Sequence, residues 1–245
     1  MNRYATLAWS FCLGSATLLT PVLANATDGE AIIQQGGANP AAMACMACHG
    51  VDGKGLAEAG YPRLAGLPEP YLLKQLGDFR AGKRVNPIMQ PVAQALGEDE
   101  MAAAAKAYAA RPAVQIEAGP VERPAPGTGA WIAVKGLWDR NVPECILCHG
   151  PSGVGVGDAF PPLAGQSAQY IESQLKAWQG TPAVEAGGKT KAVEATLPTR
   201  SNDPNGLMQH IAAALTDDEV KAVAEYFASL GEAKEPVKGS QYRLR

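Results

Sequence analysis

The sequence is poor in the residues that most often build redox and metal sites. It has three histidines and five cysteines in 245 residues. Four of the cysteines and two of the histidines sit in two short stretches, Cys45–His49 and Cys145–His149, which leaves His210 as the one spare histidine and Cys12 as the one spare cysteine. Cys12 lies in an N-terminal stretch read below as removable, so no cysteine remains for a disulfide. That is compatible with an oxidising compartment without requiring one. A basic block is also missing. With 21 Lys and Arg against 24 Asp and Glu, the net charge is −3, which argues against a nucleic-acid partner. Apolar residues make up 47%, enough for a folded core.

What the chain does have is one pattern twice, CMACH at Cys45–His49 and CILCH at Cys145–His149. Cys-x-x-Cys-His is the attachment pattern of a c-type haem. Two thiols one helical turn apart reach the two vinyl groups, and the next residue must be a histidine whose imidazole reaches the iron from the same side. A single copy also fits a thioredoxin-like redox pair or half of a zinc site. Two copies in matching surroundings favour haem.

The chain begins as a secretory signal does. Asn2 and Arg3 form a weakly basic start, Leu7 to Leu23 is mostly apolar, and Ala24-Asn25-Ala26 is a small-x-small cleavage site. An uncleaved membrane anchor is the competing reading; Pro21 and the cleavage site argue against it. Residues 1–26 are therefore expected to be a signal peptide.

The rest is an internal repeat. At an offset of 100, Cys45, Cys48, His49 and Gly50 fall on Cys145, Cys148, His149 and Gly150. At 99, Tyr61-Pro62-Arg63-Leu64-Ala65-Gly66 falls on Phe160-Pro161-Pro162-Leu163-Ala164-Gly165, and Tyr71, Gln75, Leu76 and Phe79 fall on Tyr170, Gln174, Leu175 and Trp178. At 119, Met89, Leu96, Glu100 and Tyr108 fall on Met208, Leu215, Glu219 and Phe227. The change of offset marks an insertion of about twenty residues at Gly180–Thr199. Between the copies lie Pro112, Pro120, Pro124 and Pro126 with Gly119, Gly127 and Gly129, a composition that cannot continue a helix and reads as a stiff linker. The expected organisation is a first domain at 27–111, a linker at 112–129 and a second domain at 130–245.

Each copy reads as about four short helices. Leu72, Leu76 and Phe79 fall on one face of a helix over Tyr71–Arg80, and Ile171, Leu175 and Trp178 on one over Tyr170–Trp178. Thr216-Asp217-Asp218-Glu219 is a capping box, followed by Val220, Val223, Phe227 and Leu230 at helical spacing; Glu98–Ala110 is its counterpart. Units this small often lean on a cofactor for their core.

The second axial ligand decides what a haem can do. Met208 is the only methionine of the second copy, and the repeat matches it with Met89, whereas Met101 matches Val220 on a core face. His210 aligns with Pro91, so the repeat gives it no ligand role. A soft thioether suits the iron, and Pro87 and Pro204 stiffen the segments that carry the two methionines. Arg84 and Arg200 are either partners of haem propionates or exposed loop arginines. Pro62 and Pro161 are assigned backbone carbonyls that fix the tautomers of His49 and His149.

These strings resemble class I cytochromes c, in which CxxCH is followed by P-x-L and then a distal methionine. Two such units in tandem behind a signal peptide are similar to the bacterial dihaem cytochromes of the cytochrome c4 family. The resemblance implies an all-α fold of two tandem class I domains, each wrapped around one covalent haem c, and a periplasmic electron carrier. It implies redox-protein partners, a dehydrogenase or bc-type complex as donor and an oxidase or reductase as acceptor, with loose membrane association. A haem enzyme, such as a dihaem peroxidase or thiosulfate dehydrogenase, and the dedicated cytochrome subunit of a dehydrogenase complex are the alternatives. One plausible methionine per copy and no spare cysteine favour a carrier over an enzyme.

Overall fold

The computed structural model describes residues 27–116, 124–180 and 199–231. The stretch read as a signal peptide lies outside them, as do residues 181–198 of the insertion and 117–123 of the linker. The described residues form two helical units and, apart from the helices, only isolated β-bridges, of which Arg84–Arg200 joins the two units. Unit 1 holds α1 (Gly29–Gln35), α2 (Met46–His49), α3 (Glu69–Arg80), α4 (Met89–Ala95) and α5 (Glu98–Ala109). Unit 2 repeats this with α6 (Gly129–Lys135), α7 (Cys145–His149), α8 (Ala168–Gln179), α9 (Leu207–Ala213) and α10 (Asp217–Ser229). Among the described residues each unit therefore has five α-helices where the hydrophobic pattern suggests about four.

The longer helices follow from ordinary local rules. Ser167 caps α8 by accepting from Tyr170 N, and Thr216 caps α10 while Glu219 returns a bond to the Thr216 N–H. Pro70 sits in the first turn of α3, where its missing N–H costs nothing. α1 packs on α5 and α6 on α10, while α3 and α8 pack on the same C-terminal helices. The first of these crossings is close. A Cβ on Gly29 would run into the Ala103 carbonyl, and one on Gly129 into the Ala222 carbonyl. These glycines let one helix backbone lie directly on another.

This moves one expected boundary. The linker expected at 112–129 stops short of 129: Thr128 accepts from Trp131 N as the cap of α6, and Gly129 is already its first residue, buried in unit 2. A glycine at a helix start signals close packing here rather than a flexible tether.

The core of unit 2 is built on Ile132, Val142, Val220 and Phe227, all of them fully buried. Unit 1 has two smaller clusters, one around Ile32, Val92, Leu96 and Met101, the other around Ile33, Leu72 and Tyr108. Met101 is thus a core residue of α5. No helix among the described residues is long and apolar enough to cross a membrane.

Candidate functional site: two cysteine and histidine clefts

In each unit the CxxCH stretch makes one helical turn. His49 N bonds to Cys45 O at 2.9 Å, and Gly50 (φ +78°) ends the turn; Gly150 has the same φ in unit 2. The chain then folds back. Gly55 N reaches His49 O at 2.9 Å, and Gly155 N reaches His149 O at 2.7 Å. This fold-back brings the prolines to the histidines. His49 Nδ1 lies 3.0 Å from Pro62 O, and His149 Nδ1 lies 2.8 Å from Pro161 O. A carbonyl can only accept, so Nδ1 carries the proton and the lone pair is on Nε2. Both rings are buried, with Tyr61 and Phe160 edge-on at 6.3 and 6.2 Å. Burial holds both imidazoles below their usual value, which keeps them neutral and able to donate that lone pair.

The thiols are unbridged. Burial raises the free thiol of Cys45 and pushes that of Cys145 up to about 11. Cys45 packs on the cluster of Ile32, Val92, Leu96 and Met101, and Met89 packs on that same cluster. In unit 2, Cys145 and Met208 likewise share one cluster. Each motif and its repeat-related methionine therefore face common apolar walls. The methionines begin helices. Asn86 Oδ1 accepts from Met89 N at 2.9 Å at the start of α4, and Asp203 Oδ2 accepts from Gln209 N at 2.9 Å at the start of α9. Neither bond is legible in the sequence, because Pro87 and Pro204 dominate their stretches as turn signals. His210 is exposed on α9.

Neither arginine is an exposed loop residue. Arg84 and Arg200 are both buried, side by side across the boundary between the units, where their backbones form an antiparallel bridge. Each reaches the tyrosine of the other unit, Arg84 to Tyr170 Oη at 2.7 Å and Arg200 to Tyr71. Gln75 and Gln174 each accept from both arginines. Arg84 lies 4.5 Å over the Phe79 ring and Arg200 lies 3.8 Å over Trp178. Burial first, and then the like charge of Arg84, bring Arg200 down to about 10.

The donor set suits a haem in each unit. Among the described residues no three of His, Cys, Asp and Glu cluster as a zinc site would require. Trp178 Nε1 in unit 2 and the Tyr108 hydroxyl in unit 1 are buried without an acceptor. Such a donor fits a site completed by a carboxylate-bearing group.

The cytochrome c family model matches residues 21–111 and 134–231, one copy per unit. The chain belongs to the cytochrome c family. Its tandem units match those of dihaem cytochromes c4, and the protein carries two covalently attached haems c. The thiosulfate dehydrogenase electron acceptor of Stutzerimonas stutzeri is 54% identical over 220 residues, covering 89% of this chain and 94% of that one. The cytochrome c4 of Thiocapsa roseopersicina is 34% identical, covering 81% and 93%. Among solved structures, the thiosulfate dehydrogenase TsdBA of Marichromatium purpuratum aligns with a TM-score of 0.62 at 37% identity, covering 82% of this chain and 39% of that one. The reduced cytochrome c4 of Pseudomonas stutzeri aligns with 0.60 at 30%, covering 76% and 93%. The cytochrome's general role is electron transfer.

Proposed function

We propose that this cytochrome is the electron acceptor of a thiosulfate dehydrogenase, exported from the cytoplasm after loss of residues 1–26. The observation that carries this is the 54% identity to a protein of that name, sustained over 94% of its length and thus over both haem motifs. The alignment with TsdBA supports it independently. The wider reading, a relay toward a terminal oxidase, rests on relatives at lower identity.

The chemistry is consistent. Joining two thiosulfates through a sulfur–sulfur bond releases two electrons, one for each haem. When bound, each haem supplies a one-electron ferric/ferrous couple. In this assignment Cys45 and Cys48 hold the first by thioethers, and Cys145 and Cys148 the second. His49 and His149 present Nε2 to the metal, oriented by Pro62 and Pro161. Met89 and Met208 would supply the second protein ligand of each haem, a soft thioether that raises the potential and leaves no place for substrate. The protein is then a carrier and not itself the enzyme. Arg84 and Arg200 neutralise propionates at the unit boundary.

Stopped-flow mixing tests this reading. The oxidised cytochrome should stay oxidised with thiosulfate alone. It should be reduced at both haems when a thiosulfate dehydrogenase is added. Reduction by thiosulfate alone would make the protein an enzyme, and no reduction with the dehydrogenase present would remove the partner assignment.

A further inference from the structure

Around the two motifs the units repeat in one register. A Cβ on Gly36 would meet Ala42 O, and one on Gly136 would meet Val142 O. Within that register the exposed side chains differ in a consistent direction. Ala38 and Ala47 of unit 1 become Trp138 and Leu147, and Asn39 and Ala44 become Asp139 and Glu144. Two small apolar positions have become large, and two uncharged ones acidic.

The core uses neither large side chain: Trp138 is 61% exposed and Leu147 68%. Helix geometry explains the second. At about 100° per residue, Cys145, Cys148 and His149 share one side of α7, and Leu147 falls on the other. Its exposure is therefore independent of the haem. Trp138 stands in the turn closed by the Leu137–Val142 bridge at the foot of α7, where Glu144 O accepts from Leu147 N at 3.0 Å. A lone exposed leucine needs no explanation, but a tryptophan and a leucine gained beside one motif, together with acids, mark a surface that meets something. Asp158 adds a third acid, on the loop whose Phe160 ring stands edge-on to His149. From 136 to 160 the one cation is Arg140, and it is held by Glu219 and by Ala214 O. The acids around Trp138 and Leu147 are thus uncompensated. Unit 1 exposes Met43 and Val51 instead, but there Asp52 is paired with Lys54 at 3.1 Å.

Charge decides what covers this face. A second copy of the chain, meeting it across a twofold axis, would lay acid on acid. An anionic lipid surface would be repelled. A protein with basic groups around an apolar centre is complementary. Leu147 also stands between the two attachment cysteines, so a partner seated on it lies within a few bonds of the haem. We propose that the surface of Trp138 and Leu147, edged by Asp139 and Glu144, is the docking face for the reducing partner, a basic-rimmed haem domain, and that electrons enter the protein through unit 2. Taking that domain to be part of a thiosulfate dehydrogenase rests on the function proposed above. Each encounter moves one electron: the partner's reduced haem is oxidised and the haem of unit 2 is reduced, with no proton transferred.

The test is the rate at which a thiosulfate dehydrogenase with thiosulfate reduces the oxidised holoprotein, followed by stopped flow across a range of salt. The wild-type rate should fall as salt rises, because opposite charges steer the encounter. Trp138→Ala and Leu147→Ala, which install the residues of unit 1, should each slow reduction several-fold while both midpoints in a redox titration stay in place. Asp139→Lys combined with Glu144→Lys should reverse the salt dependence. Reduction by dithionite should be equally fast in all of them, and Val51→Ser in unit 1 should leave the enzymatic rate unchanged. If the wild type is reduced and the unit 2 variants are reduced as fast, or if Val51→Ser slows reduction as much as they do, the docking face is overturned and the acceptor reading stands. If the wild type is not reduced, the acceptor reading falls and takes this partner with it. A wild type that sediments as a dimer and is dissociated by Leu147→Ala would assign the face to a second copy and overturn the proposal. Should Trp138→Ala or the double variant fail to yield holoprotein, Leu147→Ala alone decides, since it changes one exposed side chain to the residue unit 1 already carries.

Discussion

One carbonyl per unit decides what the histidines can do. Because Pro62 O and Pro161 O accept from Nδ1, only Nε2 is available as a ligand, and the ring cannot turn without losing that bond. The methionines lack such a constraint; helix starts and shared apolar walls place them. If both bind metal, the oxidised protein should show a weak near-infrared sulfur-to-iron band from two centres. Met208→Ala should remove about half of it, open that haem to carbon monoxide and lower its potential. Met101→Leu should do none of these, since Met101 is a buried α5 residue and the change conserves volume. Met89 and Met101 both follow the first motif, so only the repeat alignment told them apart in the sequence.

At the scale of the helix, two features carry testable weight. Gly129 lets α6 lie on the backbone of α10. Gly129→Ala should force the helices apart and destabilise the protein by about 1–3 kcal/mol, seen as a lower midpoint in urea. Glu219 closes the cap of α10 and pairs with Arg140. Its carboxyl is held below the usual 4.5, first by the bonds from Arg140 and then by the cap N–H groups. A carboxyl depressed in the folded state gives stability that is present above its unfolded value and is lost as pH falls through the folded one. Glu219→Gln should therefore cost about 1 kcal/mol at neutral pH. Below the folded value, where the wild-type carboxyl is also protonated, denaturation curves of the two proteins should converge. The side-chain bonds at the starts of α4 and α9 are harder to foresee. Asn86 and Asp203 stand beside prolines, and a proline near a helix start looks in sequence like a proline that ends one.

At the scale of the molecule, the boundary between the units is polar, buried and reciprocal. Val85 N bonds to Thr199 O and Ser201 N to Lys83 O, both at 2.8 Å, flanking the Arg84–Arg200 bridge. Gln166 clasps the backbone of Arg63 with both ends of its amide, at 3.0 and 2.7 Å. Gln75 is the hub, accepting from Arg84, Arg200 and Asn202 at 3.0, 3.3 and 3.0 Å. Gln75→Leu leaves those donors short of an acceptor within a buried site, at a cost of about 1–3 kcal/mol. Calorimetry should show the wild-type units melting together, and the variant melting earlier with the transitions of the two units separated.

The two attachment motifs, the repeat, the apolar faces of α3, α8 and α10 in outline and the pairing of Met89 with Met208 are legible in the sequence. These are local or periodic signals: a thiol spacing, a 3.6-residue stripe, an offset between copies. Only the tertiary structure decided where Arg84 and Arg200 go. Nothing local separates a buried arginine from an exposed one, since its burial depends on glutamine and tyrosine partners 86 or more positions away in the other unit. The same holds for Trp178. Its substitution for phenylalanine is visible in the repeat, but that its N–H lies buried without an acceptor is a property of the packed helices around it.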